Sequence, residues 1–297
     1  MIATITLIGF LSMHRWRRYF ARRFRNGGVI RLAIVAVLLG VSSVGILDLL
    51  YPGTGPRGIA EVELATILVA GLFFATLLAQ GRIVPSARQT HQRYLFVGAH
   101  PDDFELACGG TVAMLVDAGH EVRGITMSHG HEGGNSGTRL DEAREGAKFL
   151  GMASLEIHDF PDTTLHSVER EMTLVVEQAI DEFEPDVIFT HSAHDQHQDH
   201  ASVHASVLRA ARFQSSILCF ESPSVTRLFD PSVFMDITRY LDVKVRAVQV
   251  HRDQSGKPYM TAQRIKGLAA FRGAQAKVSA AEGFEPVRLL TSAIGQH

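Results

Sequence analysis

The 297-residue sequence contains only two cysteines, Cys108 and Cys219. Two thiols are too few for a disulfide framework, so we expect both to be free and buried in a reducing compartment, with a single bridge between them as the alternative. The sequence also lacks a basic excess: 29 Lys and Arg residues stand against 31 Asp and Glu residues, for a formal net charge of −2. Because phosphate backbones are bound by basic faces, this balance argues against a nucleic acid partner.

A dinucleotide-binding glycine pattern is missing as well. The apolar run YLFVGA, residues 94–99, reads as a buried strand, and the turn after it holds His100, Pro101, Asp102 and Asp103. The spacing G-x-G-x-x-G does not occur there, although a pyrophosphate needs bare backbone at this turn. A Rossmann-type cofactor site is therefore disfavoured.

The first ninety residues contain two apolar runs without charge, LAIVAVLLGVSSVGIL at 32–47 and LATILVAGLFFATLLA at 64–79. With their flanks, each approaches the roughly 20 residues that cross a bilayer. We predict two transmembrane helices within residues 29–84, at about 29–50 and 60–81, joined by a short external loop. Two buried helices of a soluble protein are the alternative, and a cleaved signal peptide is disfavoured because a second apolar run follows the first.

Arginine sets the predicted orientation of this hairpin. Residues 1–28 form a basic, amphipathic segment that could lie on anionic lipid, and three more arginines follow the second run, whereas the connecting loop has only Arg57. The positive-inside rule places both chain ends in the cytoplasm. The expected localisation is the cell membrane, multi-pass, with the domain that follows the hairpin in the cytoplasm.

From residue 92 onward, short apolar runs alternate with helical patterns, as in HEVRGITMS, TRLDEAREGAKFLG and DVIFTHS. Such alternation predicts an α/β domain over residues 92–297, with a Rossmann-like, mostly parallel sheet covered by helices on both faces. Ligands of these sheets bind at the carboxyl ends of the strands.

Two polar clusters follow predicted strands in this domain. The first holds His100, Asp102 and Asp103, and the second is HSAHDQHQDHASVH at 191–204, with five histidines and two aspartates. Imidazole and carboxylate ligands suit zinc and similar divalent ions, and two histidines with one carboxylate leave a position open for water. The alternative is that the first cluster is an ordinary loop and the second is a His-rich segment that binds metal weakly and has no catalytic role.

Several motifs in this order resemble the PIG-L/LmbE family of zinc-dependent N-deacetylases. They are AHPDDFE followed by GGT, R-x-x-E at 139–142, H-x-D-H at 197–200 with His204 beyond, and the segment FMDITRYLDVKVRAVQVHRDQ at 234–254. Two departures are small: Phe104 separates the paired aspartates from Glu105, and Asp253 stands where the family often has serine. The resemblance covers roughly residues 92–260 and leaves the hairpin outside.

The resemblance implies a role for each matching residue. His100, Asp103 and His200 match the metal ligands, Asp102 the general base, and His197 the residue that stabilises the oxyanion or assists proton transfer. Arg139 matches a substrate-contacting arginine, although a surface ion pair with Glu142 is the alternative. Three further assignments come from the residues themselves. His251 is a substrate contact from a late strand, with a solvated histidine as the alternative; Asp199 is either an outer partner of a histidine or a helix cap; and His204 is an outer partner.

The expected function is therefore zinc-dependent hydrolysis of an N-acetylglucosamine-type amino sugar glycoconjugate, with Fe²⁺ or another divalent ion as alternative cofactor and a lipid-linked substrate as the narrower hypothesis. Two alternatives stay open. One is a membrane-tethered, non-catalytic metal- or sugar-binding protein, and the other is a hydrolase of a different amide or ester. Oligomeric state is not predicted.

Overall fold

The structure is a computed structural model that describes residues 29–30, 32–37, 39 and 91–290. The described residues near position 30 are helical. Most of the two predicted spans, and all of segment 1–28, lie outside the described residues. Within the described part, no helix is both long and apolar enough to cross a bilayer. The chain divides into two units between Arg88 and Gln89.

The second unit alternates strands and helices over most of its length. Its strands are β1 (Arg93–Gly98), β2 (Glu121–Thr126), β3 (Ser154–Ile157), β4 (Val187–His191), β5 (Ile217–Phe220), β6 (Val233–Asp236) and β7 (Ala281–Arg288). Its helices are α1 (Asp103–Asp117), α2 (Ser136–Leu150), α3 (Glu169–Phe183), α4 (Gln198–Ala210), α5 (Leu241–Val250) and α6 (Ala262–Ala276).

The strands form one seven-stranded sheet in the order β3-β2-β1-β4-β5-β7-β6. Strands β1 to β5 are parallel, whereas β7 pairs antiparallel with both β5 and β6. The chain runs outward from β1 to β3 and then returns to β4, so the strand order reverses between β1 and β4. Crevices at such a reversal are the usual ligand sites of open α/β sheets.

Both faces of the central strands are buried. Alternate residues of β1 point to opposite faces: Tyr94 and Phe96 pack in one apolar cluster with α1, and Leu95 and Val97 pack in another with α3 and α4. This two-sided burial explains why β1 is an uninterrupted apolar run in the sequence.

The mixed α/β architecture and its central, mostly parallel sheet are confirmed. The antiparallel strands β6 and β7 were not predicted. The predicted late strand around His251 is wrong, because that residue follows the last turn of α5. Strands and helices no longer alternate after β5, so the alternation could not predict the elements that follow.

Candidate metal centre

The two polar clusters meet at the carboxyl ends of β1 and β4. Asp102 is the N-cap residue of α1 and Asp103 its first residue, while His197 is the N-cap residue of α4 and His200 lies in its first turn. Helix N-termini carry partial positive charge, which favours carboxylates at these positions. The fold thus brings residues about 100 positions apart in the sequence to one place.

The side chains of the three proposed ligands lie close together. His100 Nδ1 lies 3.3 Å from His200 Nε2, His200 Nε2 lies 3.5 Å from Asp103 Oδ1, and His100 Nδ1 lies 3.9 Å from Asp103 Oδ2. Ligand atoms about 2.0–2.1 Å from a tetrahedral zinc ion are separated by roughly 3.3–3.4 Å. The two histidine nitrogens are therefore spaced as two ligands of one divalent ion, whereas Asp103 approaches them with different oxygens, Oδ1 to His200 and Oδ2 to His100.

His200 is oriented by a carboxylate behind it. Its Nδ1 lies 2.8 Å from Asp195 Oδ2, which leaves Nε2 directed at Asp103 and His100. Asp195 in turn accepts hydrogen bonds from the hydroxyls of Ser222 and Ser224 and from the backbone N–H of His197. Carboxylate-histidine contacts of this kind fix the ring orientation and tautomer of metal ligands.

His100 has two carboxylates behind it. Its Nε2 lies 3.2 Å from Asp162 Oδ1 and 3.3 Å from Asp199 Oδ2. Burial alone would lower the pKa of His100, but the hydrogen bonds to Asp162 and Asp199 raise that pKa to about 10. The imidazole therefore lies in a strongly negative environment, which suits a cation.

The two oxygens of Asp103 are in different surroundings. Oδ2 accepts hydrogen bonds from the backbone N–H groups of Ala99 and His100 at 2.8 and 2.7 Å, and it lies 3.0 Å from Nε2 of the buried His191. Burial opposes ionisation of Asp103, yet His191 and His200 lower the pKa of this carboxyl well below its usual range. Oδ1 is the oxygen that faces His200.

Asp102 is held by Arg139 instead. Arg139 Nη2 donates to Asp102 Oδ1 at 3.0 Å, Nη1 donates to the carbonyl oxygen of Gly130, and both side chains are buried. The predicted surface pair of Arg139 with Glu142 does not form, because Glu142 accepts hydrogen bonds from the backbone of Arg252 and Asp253. Arg139 lines the cavity described below, but its guanidinium is occupied by Asp102 and the Gly130 loop.

His197 is half-buried beside the two histidine ligands. Its ring stacks on His200 with centroids 4.4 Å apart, and its Nδ1 accepts the backbone N–H of Asp199 at 3.3 Å. The neutral imidazole consequently carries its proton on Nε2. Burial, together with the nearby His200 and His100, lowers the pKa of His197 below its ordinary value.

The alternatives for Asp199 are resolved by its contacts. The α4 cap is His197, whereas Asp199 accepts hydrogen bonds from the backbone of Thr163 and Leu165 and contacts the distant His100. It orients a histidine from the other cluster, not its neighbour in sequence.

Two predicted site residues lie away from the ligand atoms. His251 is buried with its Nε2 3.4 Å from Glu105 Oε2 and is not part of the lining of the cavity described below, so its role as a substrate contact stays a prediction. His204 donates from Nδ1 to the carbonyl oxygen of His191 at 2.8 Å and contacts no predicted ligand. His204 lies one helical turn after His200 on α4, but its side chain contacts the backbone of β4.

Sequence reasoning did not assign Asp162 or Asp195 to the site, and it treated His191 only as a candidate for the pocket or for an outer partner. Asp162 follows β3, Asp195 follows β4, and His191 is the last residue of β4. Their position at or beyond the carboxyl ends of parallel strands was the available signal. Among the described residues, three groups have ligand atoms within 4.8 Å of one another: His100, His197 and His200; Asp103, His191 and His200; and His100, Asp162 and Asp199.

A cavity of about 270 Å³ opens over these residues. Its wall includes Asp102, His197, Glu132 and Gly133. The glycine-rich segment 128–139 is tied down at this wall: Glu132 N–H donates to Asp162 Oδ2 at 2.8 Å, and Gln254 donates to the carbonyl oxygen of Gly133. Gly130 has φ 65°, a conformation that favours glycine.

The two cysteines are free and buried, as expected. Burial, followed by the charge of Glu285, raises the pKa of the Cys219 thiol to about 12. Burial likewise raises the pKa of Cys108 well above its usual value. Neither thiol takes part in the centre.

Comparison with known proteins identifies the family. The family described as PIG-L, GlcNAc-PI de-N-acetylase, matches residues 95–211. An uncharacterized deacetylase, YaiS of Escherichia coli (strain K12), is 33% identical over 178 residues, which are 56% of this chain and 94% of the relative. The chain belongs to the PIG-L family. The match spans every residue whose ligand atoms converge at the centre.

Other PIG-L relatives and neighbours share the domain. A diacetylchitobiose deacetylase of Thermococcus kodakarensis is 26% identical over 191 residues, covering 55% of this chain and 70% of the relative. The crystal structure of conserved protein TT1542 from Thermus thermophilus is 26% identical with a TM-score of 0.62, over 69% of this chain and 100% of that one. The same fold occurs in a 4-carboxy-2-hydroxymuconate hydratase from Pseudomonas putida, 22% identical with a TM-score of 0.60, over 67% of this chain and 97% of that one.

Proposed function

We propose that this PIG-L family chain is a metal-dependent deacetylase acting on an N-acetylglucosamine-type amino sugar glycoconjugate. The observation that carries the proposal is the close approach of the His100, Asp103 and His200 side chains, with the carboxylate of Asp102 in the same cavity. The names of the relatives, which include a diacetylchitobiose deacetylase, support the choice of an N-acetyl amide over other bonds.

The donor set fits a divalent ion. Five buried carboxylates surround the centre, and the buried Arg139 pairs with one of them. The carboxylates are Asp102, Asp103, Asp162, Asp195 and Asp199. His100, Asp103 and His200 would hold zinc, and iron(II) accepts the same ligands. When bound, such an ion lowers the pKa of a water molecule and polarises a carbonyl group.

Asp102 is the proposed general base. It faces the cavity, its Oδ1 is paired with Arg139, and it is adjacent in sequence to a ligand, so its carboxylate is positioned to take a proton from water at the centre. The same group, once protonated, is positioned to return that proton to the amine that leaves.

His197 is the proposed stabiliser of the oxyanion. Because its Nδ1 accepts the Asp199 N–H, its neutral ring has a proton on Nε2 to donate. A neutral donor in a buried site can hydrogen-bond to the negative oxygen that develops as the acetyl carbon becomes tetrahedral. The direction of the His197 pKa shift is consistent with a neutral ring.

The test is acetate release combined with metal analysis. Asp102→Asn preserves the shape of the side chain and an acceptor for Arg139 but removes the base, so we expect turnover to fall about 100- to 10,000-fold with metal still bound. His200→Ala removes a ligand and should lose the metal and the activity together. The exposed Asp242, whose partner is Lys266, supplies the matched control Asp242→Asn, which should change neither reading.

Three results would contradict the proposal. Equal acetate release by wild type and Asp102→Asn would remove the base, and a metal-loaded wild type that hydrolyses no N-acetylated sugar would favour a non-catalytic binding protein. Turnover of another amide, an ester or a hydration substrate alone would assign the same centre to different chemistry.

We also propose that residues 29–84 anchor the chain in the cell membrane with the catalytic domain in the cytoplasm, and that the substrate is lipid-linked or membrane-proximal. The two uncharged apolar runs and the arginine distribution support this arrangement. If the detergent-solubilised chain acted on soluble acetylated sugars and ignored lipid-linked ones, the narrower substrate hypothesis would fail.

A further inference from the structure

A groove much larger than the catalytic cavity lies next to it. The groove has a volume of about 920 Å³, against about 270 Å³ for the cavity over the candidate metal centre. Leu106, Pro223 and Tyr259 line both, so the two spaces share a wall. A substrate whose acetylated sugar fills the cavity can therefore extend directly into the groove.

The groove wall is formed largely by apolar side chains of α6 and of the segment before it. Ile265 and Leu268 are three residues apart on α6, and Phe271 follows three residues later, which places them along one side of the helix. Leu268 is 38% exposed and Phe271 is 57% exposed. Large apolar side chains left in water beside a catalytic cavity form a surface that gains free energy when an apolar group covers it.

Four charged side chains of the groove are engaged in two pairs. Lys244 Nζ lies 2.6 Å from Glu282 Oε1, and Glu282 also accepts hydrogen bonds from Gly110 and Thr111. Arg272 donates to Glu221 through two nitrogens at 2.8 and 2.6 Å. Four of the six charged or amide side chains in the lining are thereby paired, and Gln263 and Arg264 are the other two.

This pairing discriminates between possible occupants. A second sugar ring carries several hydroxyls, and each loses its water without a replacement unless the wall offers a free donor or acceptor. An alkyl or acyl chain requires no hydrogen bonds from the wall. The groove is therefore better matched to an apolar group than to a second sugar.

We propose that the groove binds an apolar aglycone, an alkyl- or acyl-chain portion attached to the N-acetylated sugar. The inference rests on the proposed deacetylase function and names the substrate class of that same site. The apolar chain attached to the sugar would extend from the cavity past Leu106 and Tyr259. It would then lie against the side of α6 that carries Leu268 and Phe271.

The experiment compares methyl and octyl glycosides of N-acetylglucosamine of one anomeric form, with the full-length chain, below the micelle concentration of the octyl compound. Acetate release gives kcat/KM for each, and their ratio is independent of the fraction of protein that is folded. We expect a ratio of at least about ten for wild type, which corresponds to burial of roughly two methylene groups. N,N'-diacetylchitobiose, compared per acetyl group, is expected to show no such advantage over the methyl glycoside.

Gly267 supplies a variant that fills the groove. It lines the groove on α6, and a Cβ placed there meets no atom within 4 Å, so a large side chain can be added without displacing the backbone. Gly267→Trp should lower the octyl-to-methyl ratio to about one, whereas Gly267→Ala should keep the wild-type ratio. Leu268→Ser should also lower it, and Leu174→Ser, at an exposed leucine on α3 outside the groove wall, should not.

The outcomes separate this inference from the proposed function. Acetate release from both glycosides at equal efficiency overturns the groove inference and leaves the deacetylase standing, whereas release from neither overturns both. A preference for diacetylchitobiose assigns the groove to a sugar and contradicts the inference. A chain-length advantage that appears only after removal of residues 1–88 would show that the groove is filled by this chain itself, which also contradicts it.

Discussion

At the residue scale, adjacent aspartates have separate partners. Asp102 is paired with Arg139, while Asp103 faces His191, His200 and His100. The turn from β1 into α1 makes this possible, because Asp102 has φ −107° and ψ −1° and the backbone is no longer extended there. One carboxylate is thus available to bind an ion and its neighbour to move a proton.

A substitution of Arg139 tests whether Asp102 and Asp103 have these separate roles. The Arg139 guanidinium bridges Asp102 and the Gly130 carbonyl, and a lysine ammonium cannot reproduce that planar fork. We expect Arg139→Lys to lower kcat by about tenfold or more, equivalent to roughly 1.4 kcal/mol of barrier. Metal content should remain that of wild type, because Arg139 contacts none of the three proposed ligands; metal analysis and acetate release give the two readings.

The control for this prediction is Arg144→Lys, an exposed arginine on the same helix that pairs with Asp141. Its kcat should stay at the wild-type value. Loss of metal from Arg139→Lys would instead mean that the guanidinium supports the ligand set, and an unchanged kcat would mean that Asp102 does not depend on it.

The sequence predicted the ligand candidates but not the side chains behind them. His100, Asp103 and His200 lie in recognisable motifs, and the structure places the two histidine nitrogens 3.3 Å apart with the Asp103 carboxylate beside them. Asp162 and Asp195 were missed because their partners, His100 and His200, are fixed by the packing of loops and not by spacing along the chain. His251 carries a motif signal, yet its role depends on burial against Glu105, which no local pattern reveals.

At the element scale, the N-termini of α1 and α4 bring both halves of the centre together. Strand–helix alternation predicted these two elements well, whereas β7 and its antiparallel partner β6 were missed. β7 contains Gly283 and Pro286, which lower its resemblance to a strand, and β6 is only four residues long. β6 lies at the edge of the sheet and β7 lies between β6 and β5, and both positions are set by tertiary packing.

Two glycines of α6 give a matched pair for stability. A Cβ at Gly273 would lie 2.8 Å from the backbone of Ala280, whereas a Cβ at Gly267 meets nothing within 4 Å. We expect Gly273→Ala to lower the free energy of unfolding by about 1–3 kcal/mol through overpacking against backbone that cannot rotate away. Gly267→Ala should raise it by about 0.4–1 kcal/mol, because alanine favours the helix and restricts the unfolded chain.

Chemical denaturation of both variants measures this difference. The two substitutions add the same methyl group to the same helix, so helix propensity cancels in the comparison. If both variants were stabilised equally, the close approach of α6 to the start of β7 would be wrong.

At the scale of the whole molecule, the chain divides between Arg88 and Gln89, and the PIG-L match begins at residue 95. The membrane anchor proposed for the first unit is tested by fractionation. The full-length chain should pellet with membranes and resist carbonate extraction, because two uncharged apolar runs favour the bilayer.

A variant with one charged residue in the centre of each apolar run tests whether these runs insert into the membrane. Leu38→Arg combined with Leu72→Arg should release the chain into the soluble fraction, since each arginine opposes insertion by about 2.5–3.5 kcal/mol. Leu38→Ala with Leu72→Ala is the matched control and should remain in the pellet. A wild-type chain that carbonate extracts completely would remove the anchor from the proposal.

The candidate ligands His100 and His200 are 100 positions apart and follow the adjacent central strands β1 and β4. An ion shared by them would cross-link the chain and close a long loop, restricting the unfolded state much as a covalent bridge does. Both cysteines are free, so no disulfide between them supplies such a cross-link. Catalysis and resistance to unfolding would then depend on the same metal ion, and loss of the metal would make the chain both inactive and more susceptible to proteolysis.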